Sequence, residues 1–238
     1  MKKKTIYLFA ILSIFIFTGC VKTPNINFNA QMHKNIKNIA IIPPKKVKEL
    51  TIFYFNHPGM NFGLVGGVMA AAEFNSKTST YNKLIAPIKF DANHYFLSKL
   101  TSYLKEEKYN VILLPVDEKR KNEYLKEYPD VPTDAYLDIV LGQIGYIAGS
   151  PTATYKPTVK VTARLVKKVD KTILYDKYLA TGENFALAEE VDYLGCDTKD
   201  CHKDFDTLKT NAKMSVEGIQ KALDKVAKRL ALSLKKGK

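Results

Sequence analysis

Apolar residues recur along this chain in two rhythms, and the change of rhythm divides it. Ile39-Ala40-Ile41-Ile42 is a continuous run halted by Pro43-Pro44, the pattern of a short strand buried on both faces. Leu50 to Phe55 is a second apolar run, closed by the turn signal Asn56-His57-Pro58-Gly59. Asp91 is placed to cap a helix whose Phe96, Leu97, Leu100 and Leu104 recur at three- and four-residue steps, with Lys105-Glu106-Glu107-Lys108 as its solvated end. Val111 to Leu114, stopped by Pro115, repeats the short buried strand, and the charged residues 117 to 128 predict a further helix.

From there the period becomes two. Leu137, Ile139 and Leu141 alternate with Tyr136, Asp138 and Val140, and Val159, Val161, Ala163 and Leu165 alternate with Thr158, Lys160, Thr162 and Arg164. Ile173 to Leu179 answers across a tight turn at Asp170-Lys171, so the three segments predict an antiparallel meander. The C-terminal stretch returns to helical spacing: Leu208, Ala212, Val216, Ile219, Leu223, Val226, Leu230 and Leu234 form one stripe. Glu217 with Lys221 and Asp224 with Lys228 add charge pairs in the favourable order. The expected fold is a single α/β domain over 37–238. Its mixed sheet has two short buried strands plus a three-stranded antiparallel meander, packed by helices that end in a long C-terminal amphipathic one.

Between the second run and the first helix lies an unusual stretch in which Gly59, Gly63, Gly66 and Gly67 lead into Val68-Met69-Ala70-Ala71-Ala72. It carries neither G-x-G-x-x-G nor a GK[ST] ending, so it is not a phosphate-binding fingerprint. Two readings remain: a close-packed segment where glycines let backbones approach, running into a helix, or a contact surface for a sister subunit or a membrane.

The first twenty residues have a different logic. Lys2, Lys3 and Lys4 precede an apolar run from Ile6 to Phe17, which is short of the ~20 residues a spanning helix needs and matches the plan of a secretory signal peptide. Phe17-Thr18-Gly19-Cys20 resembles the lipobox of bacterial lipoproteins, although Phe17 stands where an aliphatic residue is usual. That resemblance implies a leader over 1–19, acylation of Cys20, and a flexible tether over 20–36 lifting the domain off the bilayer. Val21 follows the cysteine; by the same resemblance the protein moves to the outer membrane, lipid-anchored and facing the periplasm.

The net charge of +13 is spread over most of the chain, not interleaved with aromatics in one patch. In an exported protein such a surface meets anionic lipid or peptidoglycan, and no nucleic acid is expected. Cys196 and Cys201 form C-x4-C in an oxidising compartment, which reads as a disulfide; free thiols and a metal site with the adjacent His202 are the alternatives. Around them Glu189, Glu190, Asp192, Asp197, Asp200, Asp204 and Asp206 face only Lys199 and Lys203, either as a solvated loop or as an acidic docking surface. His33, His57, His94 and His202 show no H-E-x-x-H, and no G-x-S-x-G elbow occurs, so no catalytic residue, metal or cofactor is expected.

Three mature segments carry a further resemblance. Ile39-Ala40-Ile41-Ile42-Pro43, the strand from Thr133-Asp134-Ala135-Tyr136 to Gly142, and Val159 to Val166 followed by Lys171 to Tyr175 are similar to a domain shared by three envelope families. These are the curli-secretion lipoproteins, the amino-terminal domain of the Tol-system translocation protein, and the lipoprotein activators of penicillin-binding proteins. The resemblance spans residues 37 to 185 and implies a scaffold or assembly role without catalytic residues. Paired ten-residue alternating stretches for membrane hairpins are missing, which departs from the curli channel. The expected function is therefore a non-enzymatic envelope scaffold recruiting another envelope component. An oligomeric subunit of a secretion or motility complex and a cell-wall hydrolase are the alternatives.

Overall fold

The computed structural model describes residues 25–183 and 191–236. The leader, Cys20, Glu189 and Glu190 lie outside the described residues. The strands are β1 (Asn25–Ile26), β2 (Asn38–Ile42), β3 (Thr51–Tyr54), β4 (Asn110–Leu113), β5 (Ala135–Ala148), β6 (Lys156–Lys167), β7 (Ile173–Ala180) and β8 (Val191–Tyr193). The helices are α1 (Gly63–Ile85), α2 (Ala92–Glu106), α3 (Phe205–Thr210) and α4 (Ala212–Ser233). All eight strands join one mixed sheet in the order β1-β7-β6-β5-β2-β4, with β3 also on β5 and β8 also on β7. The meander β5-β6-β7 is antiparallel, while β2 runs parallel to both β4 and β5.

The alternation read in the sequence sets the two faces. Ile39, Ile41, Leu137 and Ile139 point into the main core with Val161, Ala163 and Leu165. Between Leu141 and Ile144 the β5–β6 register shifts, and after this bulge Ile144, Tyr146 and Ala148 take over the same core. That extra residue carries β5 six positions beyond the predicted end at Gly142. Against this face lie α1, α2 and α4, with Val216, Ile219, Leu223, Val226 and Leu230 of α4 all buried. Each such side chain contributes about 1.5–3 kcal/mol relative to exposure. Tyrosines bolt the layers together: Tyr81 shares a 2.6 Å hydrogen bond with Ser215, and Tyr109 donates to the Leu234 carbonyl at 2.6 Å. Asp91 caps α2 as expected, accepting from the His94 amide at 2.9 Å.

Four expectations are corrected. Residues 117 to 128 form no helix; the segment lies irregularly against the second sheet face, where Leu125, Tyr128 and Val131 pack on Ala40, Ile42 and Tyr136. The cause is the burial of Arg120, which pairs with Asp138 while donating to the Ile42 and Pro43 carbonyls. Asp138 also accepts the Leu125 amide at 2.7 Å and the Tyr128 hydroxyl at 3.2 Å, so its carboxylate, not a helical carbonyl, takes that backbone donor. Second, β4 is a half-exposed edge strand, because among the described residues no strand pairs beyond it. Third, the C-terminal helix is two helices, broken at Asn211.

The fourth concerns the tether. Asn25 and Ile26 pair with Lys177 and Asp176 of β7, and Phe28 packs against the core, so the chain is held to the domain from residue 25 rather than from 37.

Candidate functional site

The glycine-rich segment becomes a projecting tip. A 3-10 turn, Pro58–Phe62, leads into α1, and Gly63 makes the junction at a φ of 60°. Here the left-handed region suits glycine alone. Gly66 then packs on Gly59 so closely that a Cβ at Gly66 would lie 1.7 Å from the Gly59 carbonyl oxygen. Two of the four singled-out glycines are thus consumed by packing within the tip, while Gly67 faces open space.

What this packing holds out is apolar. Met60, Phe62, Leu64, Val65, Val68 and Met69 are all exposed, Leu64 to 88% and Phe62 to 76%. No charged residue occurs from Pro58 to Ala72 in a chain that is 26% charged. Scattered exposed apolar side chains are ordinary, but a contiguous patch marks a contact surface. Beyond Ala72 the exposed positions of α1 turn polar, at Asn75, Ser76, Ser79, Thr80 and Lys83, save for a single Leu84 in the last turn.

The base of the tip is clamped by Glu73. Its carboxylate accepts from Tyr54 at 3.0 Å, pairs with Lys77 at 2.7 Å and meets His57 Nε2 at 2.9 Å. His57 Nδ1 accepts the Gly59 amide at 2.9 Å, which assigns the ring proton to Nε2 and the donation to Glu73. The His57 ring stacks on Tyr54 with centroids 5.3 Å apart, and Lys77 sits 4.5 Å over the same Tyr54 ring. The hydrogen bond from Lys77 leads the effects that hold the Glu73 carboxyl down at about 2. Both nitrogens of His57 are engaged, so this cluster is built to fix a shape.

The other predicted site residues are placed as follows. Cys196 and Cys201 stand with Sγ atoms 3.7 Å apart as unbonded thiols, and burial first pushes the Cys201 thiol up to about 12. The acidic segment is largely committed to internal bonds. Asp192 pairs with Arg229 at 2.7 Å, and Asp200 pairs with Lys221 at 2.6 Å. Asp197 caps a short 3-10 turn through the Lys199 amide, and Asp204 caps α3 through the Thr207 amide. Asp192 and Asp200 are thus paired with cations, while Asp197 and Asp204 cap their turns and stay exposed with their charge. Among the described residues no group of three or more His, Cys, Asp or Glu is arranged to hold a metal, and no helix is long and apolar enough to cross a membrane.

A groove of about 720 Å³ runs between α2 and the β4 edge, lined by Leu97, Thr101, Leu113 and Val116 with Lys46 and Lys105 at its margin. Sequence reading missed it, because it arises from β4 being an edge. The reading also missed the Glu73 clamp; Glu73 and Lys77 at i, i+4 were its visible trace.

No family model and no curated protein matches the chain. Among solved structures it is similar to the crystal structure of protein XCC0632 from Xanthomonas campestris, family model DUF330. The identity is 9%, covering 88% of this chain and 87% of that one, with a TM-score of 0.41.

Proposed function

We propose that this protein is a lipid-anchored cell-envelope lipoprotein acting as a non-enzymatic scaffold or assembly factor at the membrane, where it recruits another envelope component. The observation that carries the reading is the apolar tip. It is an association surface, clamped and charge-free, whose base is held by His57 and Glu73. The lipobox-like Phe17-Thr18-Gly19-Cys20 supports the anchor, and anchoring raises the effective concentration of the domain near its partners.

Two measurements test this. The N-terminal peptide purified from the native host carries a diacylglyceryl mass increment on Cys20, and Cys20→Ser lowers the share of the protein that resists extraction from the membrane fraction. An unmodified thiol at Cys20 in membrane-extracted protein contradicts the anchor. With the tip at the membrane, the apolar-lined α2–β4 groove is the second surface open to a partner, and in-cell crosslinking from it, for example at Leu113, identifies the recruited component. In that oxidising compartment Cys196 and Cys201 close to a disulfide, needing their 3.7 Å separation to shrink to about 2.05 Å; thiol titration with and without reductant reads it.

A second reading, a self-assembling subunit, is favoured by the same tip. Size measurement of the detergent-extracted chain separates the two, since a ring or large oligomer supports the second and a monomer the first.

A further inference from the structure

We infer that the apolar tip of α1 is seated in the acyl region of the bilayer that carries the anchor, giving the domain a second, non-covalent foothold. This rests on the lipid-anchored reading above and names what its contact surface meets.

The first argument is the direction in which polarity changes. A helix that pairs side by side with a partner carries its apolar stripe along its whole length. On α1 the exposed face is apolar at Leu64, Val65, Val68 and Met69 and polar at Ser76, Ser79, Thr80 and Lys83, with Leu84 in the last turn as a lone exposed apolar side chain beyond the break. The break therefore falls across the helix axis, not around it. From Gly63 to Ala72 the helix rises about 14 Å, close to half of the ~30 Å hydrocarbon core. A shallower seat of about 5–10 Å still covers Phe62, Leu64 and Val65. Such a boundary is a depth mark.

The second argument is reach. Only Val21 to Pro24 separate Cys20 from β1, and at about 3.5 Å per residue the acylated cysteine lies within about 17 Å of Asn25. So short a link presses the domain against the bilayer, and some face must touch lipid. The antiparallel register, Asn25 opposite Lys177 and Ile26 opposite Asp176, means that the chain enters β1 from the Ala180 end of β7. That is the sheet end at which β6 begins, β5 finishes at Ala148 opposite Tyr54, and the tip starts. The point at which the chain enters the sheet from Cys20 and the tip are thus at one end of the domain, and among the described residues the tip is a large exposed apolar surface there.

The chain has no Trp, so a single one reports its own surroundings. The full-length chain, purified in acylated form from its host, is reconstituted in vesicles of phosphatidylethanolamine and phosphatidylglycerol, with and without brominated acyl chains. Phe62→Trp is the probe, Val68→Trp a second in case the first disturbs the turn, and Ser79→Trp the control beyond the polarity break. Both tip probes are expected to emit at shorter wavelength and to lose more than half their intensity to brominated lipid, while Ser79→Trp does neither. Unquenched tip probes in protein whose Cys20 is acylated by mass overturn the inference. A wavelength shift without quenching that vanishes as protein is diluted in lipid assigns the tip to a second copy, and overturns it as well. If mass shows no acyl group, the anchor reading fails by itself. Quenching of Phe62→Trp in the Cys20→Ser chain added to the same vesicles then decides the tip alone.

Discussion

Two regions of this molecule break the ordinary rule of polarity in opposite directions. The segment around Arg120 carries charge into the interior, with Arg120 5% and Asp138 0% exposed. The tip around Leu64 carries apolar side chains into the open. The first violation is answered largely within the chain: the Asp138 carboxylate has Arg120, the Leu125 amide and the Tyr128 hydroxyl, and Arg120 also reaches three carbonyls, its Nε alone lacking a hydrogen-bond partner. The second has no internal answer. A buried charge whose partners all lie inside the fold belongs to architecture, whereas an exposed apolar surface that the fold spends effort to hold rigid belongs to an encounter.

The comparison breaks most visibly at Arg120. Arg120→Ala leaves Asp138 buried without its cation and is expected to cost about 3–5 kcal/mol in urea unfolding. Replacing both partners with apolar residues of similar volume should recover much of that loss, since the desolvation cost leaves with the charges. A single variant as stable as the parent would show the pair to be incidental.

Gly66→Ala tests the rigidity of the tip. With its Cβ meeting the Gly59 carbonyl, overpacking is expected to cost about 1–3 kcal/mol and to speed amide exchange in residues 57 to 66 ahead of the rest of the domain.

Acidification sharpens the contrast between the clamp and the core. Burial lowers the affinity of His202 for a proton below its ordinary value of 6.5. The unfolded chain therefore takes up that proton first, so stability from His202 is present above 6.5 and is lost as pH falls below it. Glu73 follows at lower pH. Its contribution is complete above the ordinary 4.5 and is lost as pH falls through about 2. Unfolding midpoints followed from neutral to acid pH should show the first loss before the second, and His202→Gln should abolish only the first.

The smallest stability effect is expected at the tip surface itself. Val68→Ser changes folding stability by no more than about 0.5 kcal/mol, because Val68 has little to lose inside the fold. The same variant should weaken vesicle association measured by flotation. A large loss of stability instead would place Val68 in the architecture.

Much of the fold was legible because its signals are periodic and local. The meander, the Asp91-capped helix and the stripe of α4 are visible in spacing alone and fall where that spacing puts them, whereas β1, β8 and the full length of α1 carry no such signal. The exceptions were set by contacts between distant residues. Arg120 and Asp138 lie 18 positions apart, and no local pattern marks residues 117 to 128 as a segment bound to a buried carboxylate. The bulge after Leu141 likewise needed the opposing strand to reveal it. For the candidate site, the glycines and alanines drew the eye, and the reading of them as a close-packed segment running into a helix is seen at Gly59 and Gly66, while the reading as a contact surface belongs to the proposal. What spacing alone did not disclose was that the larger residues between them, Met60, Phe62, Leu64 and Val65, point away from the domain.

The most direct test of the account is a photoreactive amino acid placed at Leu64 of the full chain and activated in living cells, with Ser79 as the comparison position. A phospholipid adduct at 64 and none at 79 is the predicted result. Products confined to the chain itself at position 64, or no product at all, would contradict it.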